Sequence, residues 1–320
     1  MSISEQTFAE HKGFLWGLCY RMTGSAADAE DVVQDTFVKA LEKPPADMDA
    51  PLRPWLVKVA LNLSRDQLRR RRRREYFGPW LPSPVVTEDD NTLQLDQLTT
   101  SEDSPATRYD LLESVTFAFL LALEALTPAQ RAVLLLREVF DYSTSETAAA
   151  LEMSESNIKV TLHRARQIMI AYDKNQQLSL SKRNDELRHT LQTFLSRLSA
   201  GDVQGMTQML AADVVLITDG AGEINALAEP VYGRAKVARL LEKLYEAYRE
   251  VTRTTVQVLN GQPAILIERS RVKEGHASFF TMHCELDAAL QMRRLNFVFA
   301  PSKLLRVRQP TSVEFNHQRS

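Results

Sequence analysis

The chain has 320 residues, which at roughly 150 residues per domain points to two or three domains and excludes a single small fold. Its 39 Lys and Arg against 41 Asp and Glu, with 44% hydrophobic and 25% charged residues, exclude global disorder. Cys19 and Cys284 lie far apart with no Cys/His cluster, which argues against a disulfide framework or zinc site and fits a reducing cytoplasm; no metal or cofactor is expected.

In chain order, residues 5 to 75 read as helical. Apolar residues recur at three- and four-residue steps in Phe14-Leu15-Leu18 and Val32-Val33-Phe37-Leu41, with breaks at Gly24-Ser25 and Lys43-Pro44-Pro45. The N-terminal stretch lacks the basic-then-apolar form of a signal peptide. No run approaches the roughly 20 apolar residues of a membrane span, so a cytoplasmic protein without a membrane partner is expected. The helical region ends in six consecutive arginines, Arg69 to Arg74, before Gly78-Pro79-Trp80-Leu81-Pro82-Ser83-Pro84, which cannot continue a helix. These features set a first domain at 1–78.

The next stretch, 79–108, reads as a flexible acidic linker, because Pro82 to Thr107 holds six acidic residues and no Lys or Arg. Helical periodicity returns over 109–173. Thr127-Pro128-Ala129-Gln130 combines an N-cap, a first-turn proline and a capping-box glutamine. Ser143-Thr144-Ser145-Glu146 starts a short Ala-rich helix, and Glu152-Met153-Ser154 turns into another, the spacing of a helix-turn-helix. A last domain at 182–311 opens on helices at 185–200 and 203–210. It continues in β-rich runs at 214–217, 254–258, 264–267 and 296–299, an α+β pattern.

Two surfaces carry nucleic-acid chemistry. Wound at about 100° per residue, Lys58, Asn62, Arg65 and Arg69 fall within about 60° of one another, opposite Leu56, Val59, Ala60 and Leu63. Lys and Arg neutralise phosphates, Asn offers both donor and acceptor to a base edge, and Arg72 and Arg73 extend the charge. An arginine run without interleaved Glu repels itself unless it meets an anion, which favours nucleic-acid contact over a merely solvated face. In the helix-turn-helix, Ile158, Leu162, Ala165 and Met169 form the buried stripe. Ser156, Asn157, Lys159, Val160, His163 and Arg164 are left facing outward, with Val160 placed for a thymine methyl and Lys159 and Arg164 for phosphate or guanine. His163 has no second ligand at i+4 and reads as a DNA-facing polar residue, not a metal ligand.

Three segments in order resemble the extracytoplasmic-function sigma factors. Asp28 to Phe37 is similar to that family's core-polymerase-binding helix, Arg53 to Asp66 with the arginine run to its −10-reading helix, and Leu126 to Arg166 to its −35-reading domain. The resemblance implies a mainly α chain with two sigma domains that act with core RNA polymerase on promoter DNA. Asp28, Asp31 and Asp35, with Phe37, would meet a basic coiled-coil surface on the polymerase. The family captures an unstacked base in the loop from Lys43 to Arg53. Trp55, beside the apolar stripe, reads as core and not as a stacking platform. The acidic linker would thread polymerase channels built for nucleic acid, or act as a solvated tether.

The C-terminal region resembles the SnoaL-like cone fused to one subgroup of these factors, where it helps control activity in place of a separate anti-sigma protein. That subgroup's Trp-Leu-Pro-Glu-Pro motif appears as Trp80-Leu81-Pro82-Ser83-Pro84, its Asp-Gly-Gly-Gly-Lys motif as Asp219-Gly220-Ala221-Gly222-Glu223, and its Asn-Pro-Asp-Lys-Leu motif as Ala300-Pro301-Ser302-Lys303-Leu304. Glu223 stands where that motif has a lysine and reverses its charge. Regulatory contacts are expected at Trp80, Leu81, Pro82, Asp219, Gly220, Gly222, Pro301, Lys303 and Leu304. Elsewhere SnoaL-like folds are enzymes, so Asp219, His276 and His283 are acid/base candidates, but no spacing ties them together. The reading is a sigma factor, not an enzyme. The alternatives are a SnoaL-like enzyme or ligand sensor fused to a DNA-binding module, and a DNA-binding regulator that works without entering the polymerase.

Overall fold

The computed structural model describes residues 5–45, 47, 50–73, 76–87, 109, 111–173, 180–248, 251–270 and 274–307. The first unit is three helices, α1 (Glu5–Thr23), α2 (Ala26–Glu42) and α3 (Leu52–Arg73). Gly24 turns the chain at φ +67°, and the Ser25 side chain accepts from the Asp28 N–H at 3.2 Å to cap α2. The second unit is α4 (Phe117–Leu123), α5 (Pro128–Glu138), α6 (Thr144–Leu151) and α7 (Glu155–Asp173). Both expected capping boxes form, Thr127 with Gln130 and Ser143 with Glu146. Glu152, at φ +54°, turns the chain from α6 towards α7.

The C-terminal unit begins with α8 (Leu180–Ala200) and α9 (Val203–Gln208), then β1 (Leu210–Asp219), β2 (Val231–Tyr232) and α10 (Arg234–Tyr248). Strands β3 (Val251–Leu259), β4 (Gln262–Arg269), β5 (Phe279–Leu286) and β6 (Met292–Val298) follow. They form one six-stranded sheet in the order β2-β1-β6-β5-β4-β3, antiparallel except for the β1–β6 pair. One face carries Leu216, Ile265, Met282, Leu295 and Phe297, packed with Leu191 and Phe194 of α8 and Leu241 of α10 into the domain's own core. This is the α+β, SnoaL-like arrangement.

Two features differ from the sequence reading. The helical units do not bury separate cores: α1 and α3 pack on α5 and α6, and apolar residues from Phe14 to Tyr172 form one continuous cluster, with Phe14 and Phe140 edge to face at 5.4 Å. The beginning of the expected flexible linker is instead a buried strap. Leu81 to Val85 are buried, and Val86 forms a bridge with Leu259. A segment without periodicity can be buried when its backbone groups find partners, as these do. The Ser83 N–H donates to the Gly24 carbonyl at 2.9 Å, the Tyr20 hydroxyl to the Ser83 carbonyl at 2.6 Å, and the Asn260 N–H to the Val85 carbonyl at 2.9 Å. The acidic residues of the expected linker, from Glu88 to Asp103, lie outside the described residues.

The second face of the sheet is not solvated. Ile217, Leu259, Leu266 and Val298 pack with Leu81 of the strap, Phe117 of α4, and Leu304 and Val307 of the segment after β6. The strap, the second helical unit and the C-terminal unit therefore meet on it.

Candidate nucleic-acid and polymerase interfaces

In the helix-turn-helix, the burial of Ile158, Leu162, Ala165 and Met169 turns the opposite side of α7 outward. Ser156, Asn157, Lys159, Val160, His163 and Arg164 are all exposed, Val160 by 47%.

On α3, burial of Leu56, Ala60, Leu61 and Leu68 leaves Lys58, Asn62 and Arg65 half-buried and Arg69, Arg72 and Arg73 exposed. Several of these cations already have protein partners. Lys58 Nζ lies 2.7 Å from the Glu152 carboxylate in the helix-turn-helix turn. Arg65 donates to Asn62 Oδ1 at 3.4 Å, and Arg69 pairs with Asp66 at 2.8 Å. Arg72 donates to the Leu126 carbonyl at 2.7 Å. Arg71 pairs with Glu124 at 2.6 Å, donates to the Thr23 carbonyl at 2.7 Å, and lies 4.0 Å from the Trp80 ring centroid. Glu124 also holds Arg131 at 2.8 Å, and that buried guanidinium crosses back to donate to the Met22 carbonyl at 2.7 Å. In the other direction Arg21 reaches Ser114 Oγ at 2.7 Å and the Leu111 carbonyl at 2.8 Å. Buried guanidinium groups persist only where they are hydrogen-bonded, so Arg21 and Arg131 fix the two helical units together.

The acidic stripe on α2 is formed. Asp31 and Asp35 are exposed, Asp28 is half-buried and accepts from Gln67 at 3.4 Å, and Val38 and Leu41 stand out beside them, exposed by 49% and 58%. Burial and the neighbouring charges of Asp28, Asp35 and Glu30 push the Asp31 carboxyl above its ordinary range. Phe37 is half-buried on Phe8, with ring centroids 4.4 Å apart. Trp55 packs against the helical core.

The three short motifs converge on Asp219. Its buried carboxylate accepts from the Tyr76 hydroxyl at 2.6 Å, the Leu81 N–H at 2.7 Å, the Ala221 N–H at 2.9 Å and Lys303 Nζ at 2.6 Å. Lys303 also donates to the Leu81 carbonyl at 2.6 Å and lies 4.6 Å from the Trp80 ring and 5.0 Å from the Tyr76 ring. Trp80 lies against Gly24, where a Cβ would approach its ring to 2.5 Å, and Pro82 is buried. At Gly220 a Cβ would meet the Ile224 carbonyl, and Gly222 carries φ +75° in the exposed turn. Pro301 opens the 3-10 turn that presents Lys303, and Leu304 is buried. The reversed charge at Glu223 finds a partner in the third motif: the Ser302 hydroxyl and N–H both donate to its carboxylate.

The acid/base candidates are not brought together as a catalytic group. Asp219 is saturated by its four donors, His276 is exposed with Nδ1 3.2 Å from the Glu274 carbonyl, and His283 is stacked under Phe117 with centroids 3.9 Å apart. Burial pushes the His283 imidazole pKa down to about 3, so it is neutral. No group of three or more His, Cys, Asp or Glu among the described residues could hold a metal ion, and none of the described helices is long and apolar enough to cross a membrane.

Asn260 is the contact the sequence reading missed. It sits at φ +55° in the turn between β3 and β4 and is fully buried. Its Nδ2 donates to the Tyr20 hydroxyl at 2.6 Å and the Val115 carbonyl at 2.9 Å, and its Oδ1 accepts from the Val85 N–H at 3.1 Å. One side chain thus joins both helical units and the strap. Asn260-Gly261 between two β-rich runs signals a hairpin turn, but nothing local indicates that the turn is buried.

Residues 7–74 match the family model for sigma-70 region 2, and residues 116–169 the model for sigma-70 region 4. The chain is 31% identical over 252 residues to the ECF RNA polymerase sigma factor SigJ of Mycobacterium tuberculosis, covering 78% of this chain and 74% of the relative. It is 30% identical over 257 residues to SigG of the same species, covering 77% of this chain and 68% of that one. The crystal structure of M. tuberculosis SigJ shares the fold, with TM-score 0.68 at 23% identity over 93% of this chain and 97% of that one. Two sigma regions in the expected order, beside relatives aligned over most of the chain, settle the family: the protein belongs to the ECF RNA polymerase sigma factors, which direct core polymerase to promoter DNA.

Proposed function

We propose that the arrangement described above is the resting state of this sigma factor, and that its C-terminal domain holds the −10- and −35-reading surfaces in a closed relation until polymerase and promoter draw them apart. One observation carries this: Lys58 and Arg72, cations expected to serve the −10 element, are bonded to Glu152 and the Leu126 carbonyl of the second helical unit, and their neighbour Arg71 in the arginine run is bonded to Glu124. A phosphate competes with those partners for the lysine and the arginines, and contact is favoured by their release. The exposed face of α7 needs no such release, so −35 contact precedes −10 contact.

In this reading Asp28, Asp31, Asp35 and Phe37 serve the polymerase. Lys58, Asn62, Arg65, Arg69, Arg72 and Arg73 serve the −10 strand, and Ser156, Asn157, Lys159, Val160, His163 and Arg164 serve the −35 duplex. The Asp219–Lys303–Trp80 knot and the Asn260 clamp supply the regulation that a separate anti-sigma protein would otherwise supply. The C-terminal domain performs no catalysis and the protein works in the cytoplasm. Run-off transcription with purified core polymerase on a −35/−10 promoter tests the reading. A promoter-specific transcript that increases when Lys303→Met loosens the knot supports it. No specific transcript from either protein rejects it.

A further inference from the structure

The segment after β6 touches the candidate polymerase surface as well as the knot. Leu304 and Val307 are buried on the sheet, which turns Leu305 and Arg306 outward. The Arg306 guanidinium lies 2.5 Å from the Glu30 carboxylate on α2 and 5.3 Å from the Trp16 ring centroid, and Lys12 approaches the same carboxylate at 3.4 Å. Glu30 precedes Asp31 and so sits about 100° round the helix from it, on the flank of the acidic stripe. Its charge is felt there, since Glu30 is one of the groups that raise the Asp31 carboxyl.

We infer that Arg306 masks one edge of the polymerase-docking surface, so that the closed C-terminal segment competes with the basic, partly apolar polymerase surface that seats on α2. The inference rests on the proposal that the α2 stripe meets the polymerase. A cation on Glu30 lowers the negative field of the stripe and places a like charge beside an incoming basic helix, both of which weaken docking.

Binding of full-length protein to purified core polymerase, measured at several salt concentrations, tests this. Arg306→Ala should tighten binding by about two- to fivefold, the range of an exposed ion pair, with the Leu81 amide as slowly exchanging as in the parent. In a Glu30→Gln background the same substitution should tighten binding by less than in the parent, and Arg306→Lys should keep parental affinity. Unchanged or weaker binding of Arg306→Ala, or a gain accompanied by fast exchange at Leu81, overturns the mask. Asp31→Asn with Asp35→Asn tests the underlying reading separately: if that double variant binds polymerase as the parent does, the stripe is not the docking surface.

Discussion

Lys303→Met is the sharpest perturbation of the closed state. The Lys303 side chain is 10% exposed and the Asp219 side chain is fully buried. Burial pushes the Lys303 ammonium down to about 8 despite the carboxylate at 2.6 Å, so desolvation outweighs what the carboxylate gives back. Removing only the lysine is a different matter, because it strands a buried carboxylate. Such losses run to about 3–5 kcal/mol, and with three donors left to Asp219 the lower end applies, about 3 kcal/mol, or roughly a hundredfold in the closing equilibrium. Amide exchange reads this directly, since the N–H of Leu81 is bonded to Asp219, that of Ser83 to the Gly24 carbonyl and that of Val85 to Asn260. Exchange at these three should accelerate by roughly a hundredfold while amides within α1 keep their protection. The double variant Asp219→Asn, Lys303→Met should lose less than Lys303→Met alone. Parental exchange rates in Lys303→Met, or a double variant worse than the single, would refute the reasoning.

Asn260→Gly keeps the turn conformation but leaves the Val85 N–H and the Val115 carbonyl without their partner, so it should cost about 2–4 kcal/mol in denaturant unfolding, and a loss below about 0.5 kcal/mol would contradict the clamp. His283 is held neutral in the docked form, its pKa pushed from 6.5 to about 3, whereas the undocked imidazole takes up a proton as the pH falls through its ordinary value. Docking is therefore at full strength above pH 6.5 and weakens by about 1.4 kcal/mol between pH 7.5 and pH 5.5, as read by Val85 amide exchange corrected for its intrinsic pH dependence. His283→Phe should flatten that dependence, and an unaltered slope in the variant would exclude the histidine as its source. Lys159→Ala and Arg164→Ala should each weaken binding to the −35 duplex, by about 1–3 kcal/mol where the residue reads a base, and parental occupancy in both would remove α7 from the interface.

Local signals made the helical half legible in the sequence. The Thr127 and Ser143 capping boxes, the Gly24-Ser25 break and the apolar stripe of α7 each depend on residues within one or two turns, and each forms. What escaped depends on contacts distant in sequence. In β5, Phe280 to Cys284 are all buried because one face meets the domain's own core and the other meets α4, so the strand lacks the alternation that would reveal it. The proline-rich strap reads as a boundary, yet its polar backbone is satisfied by Gly24, Asp219 and Asn260 from both ends of the chain. The arginine run announces its charge but not its occupancy. Composition cannot indicate that Arg71 and Arg72 turn to Glu124 and the Leu126 carbonyl while Arg69 stays at the surface with Asp66.

The separation between α2 and α7 in free and polymerase-bound protein tests the central claim. Glu42 and Gln167 are exposed, and both native cysteines are buried, so cysteines introduced at 42 and 167 can be labelled selectively for energy transfer. A single high-transfer state in the free protein, replaced by a low-transfer state when core polymerase and promoter are added, is the expected result. The same transfer efficiency before and after promoter-directed transcription would mean that the closed arrangement is already the working one.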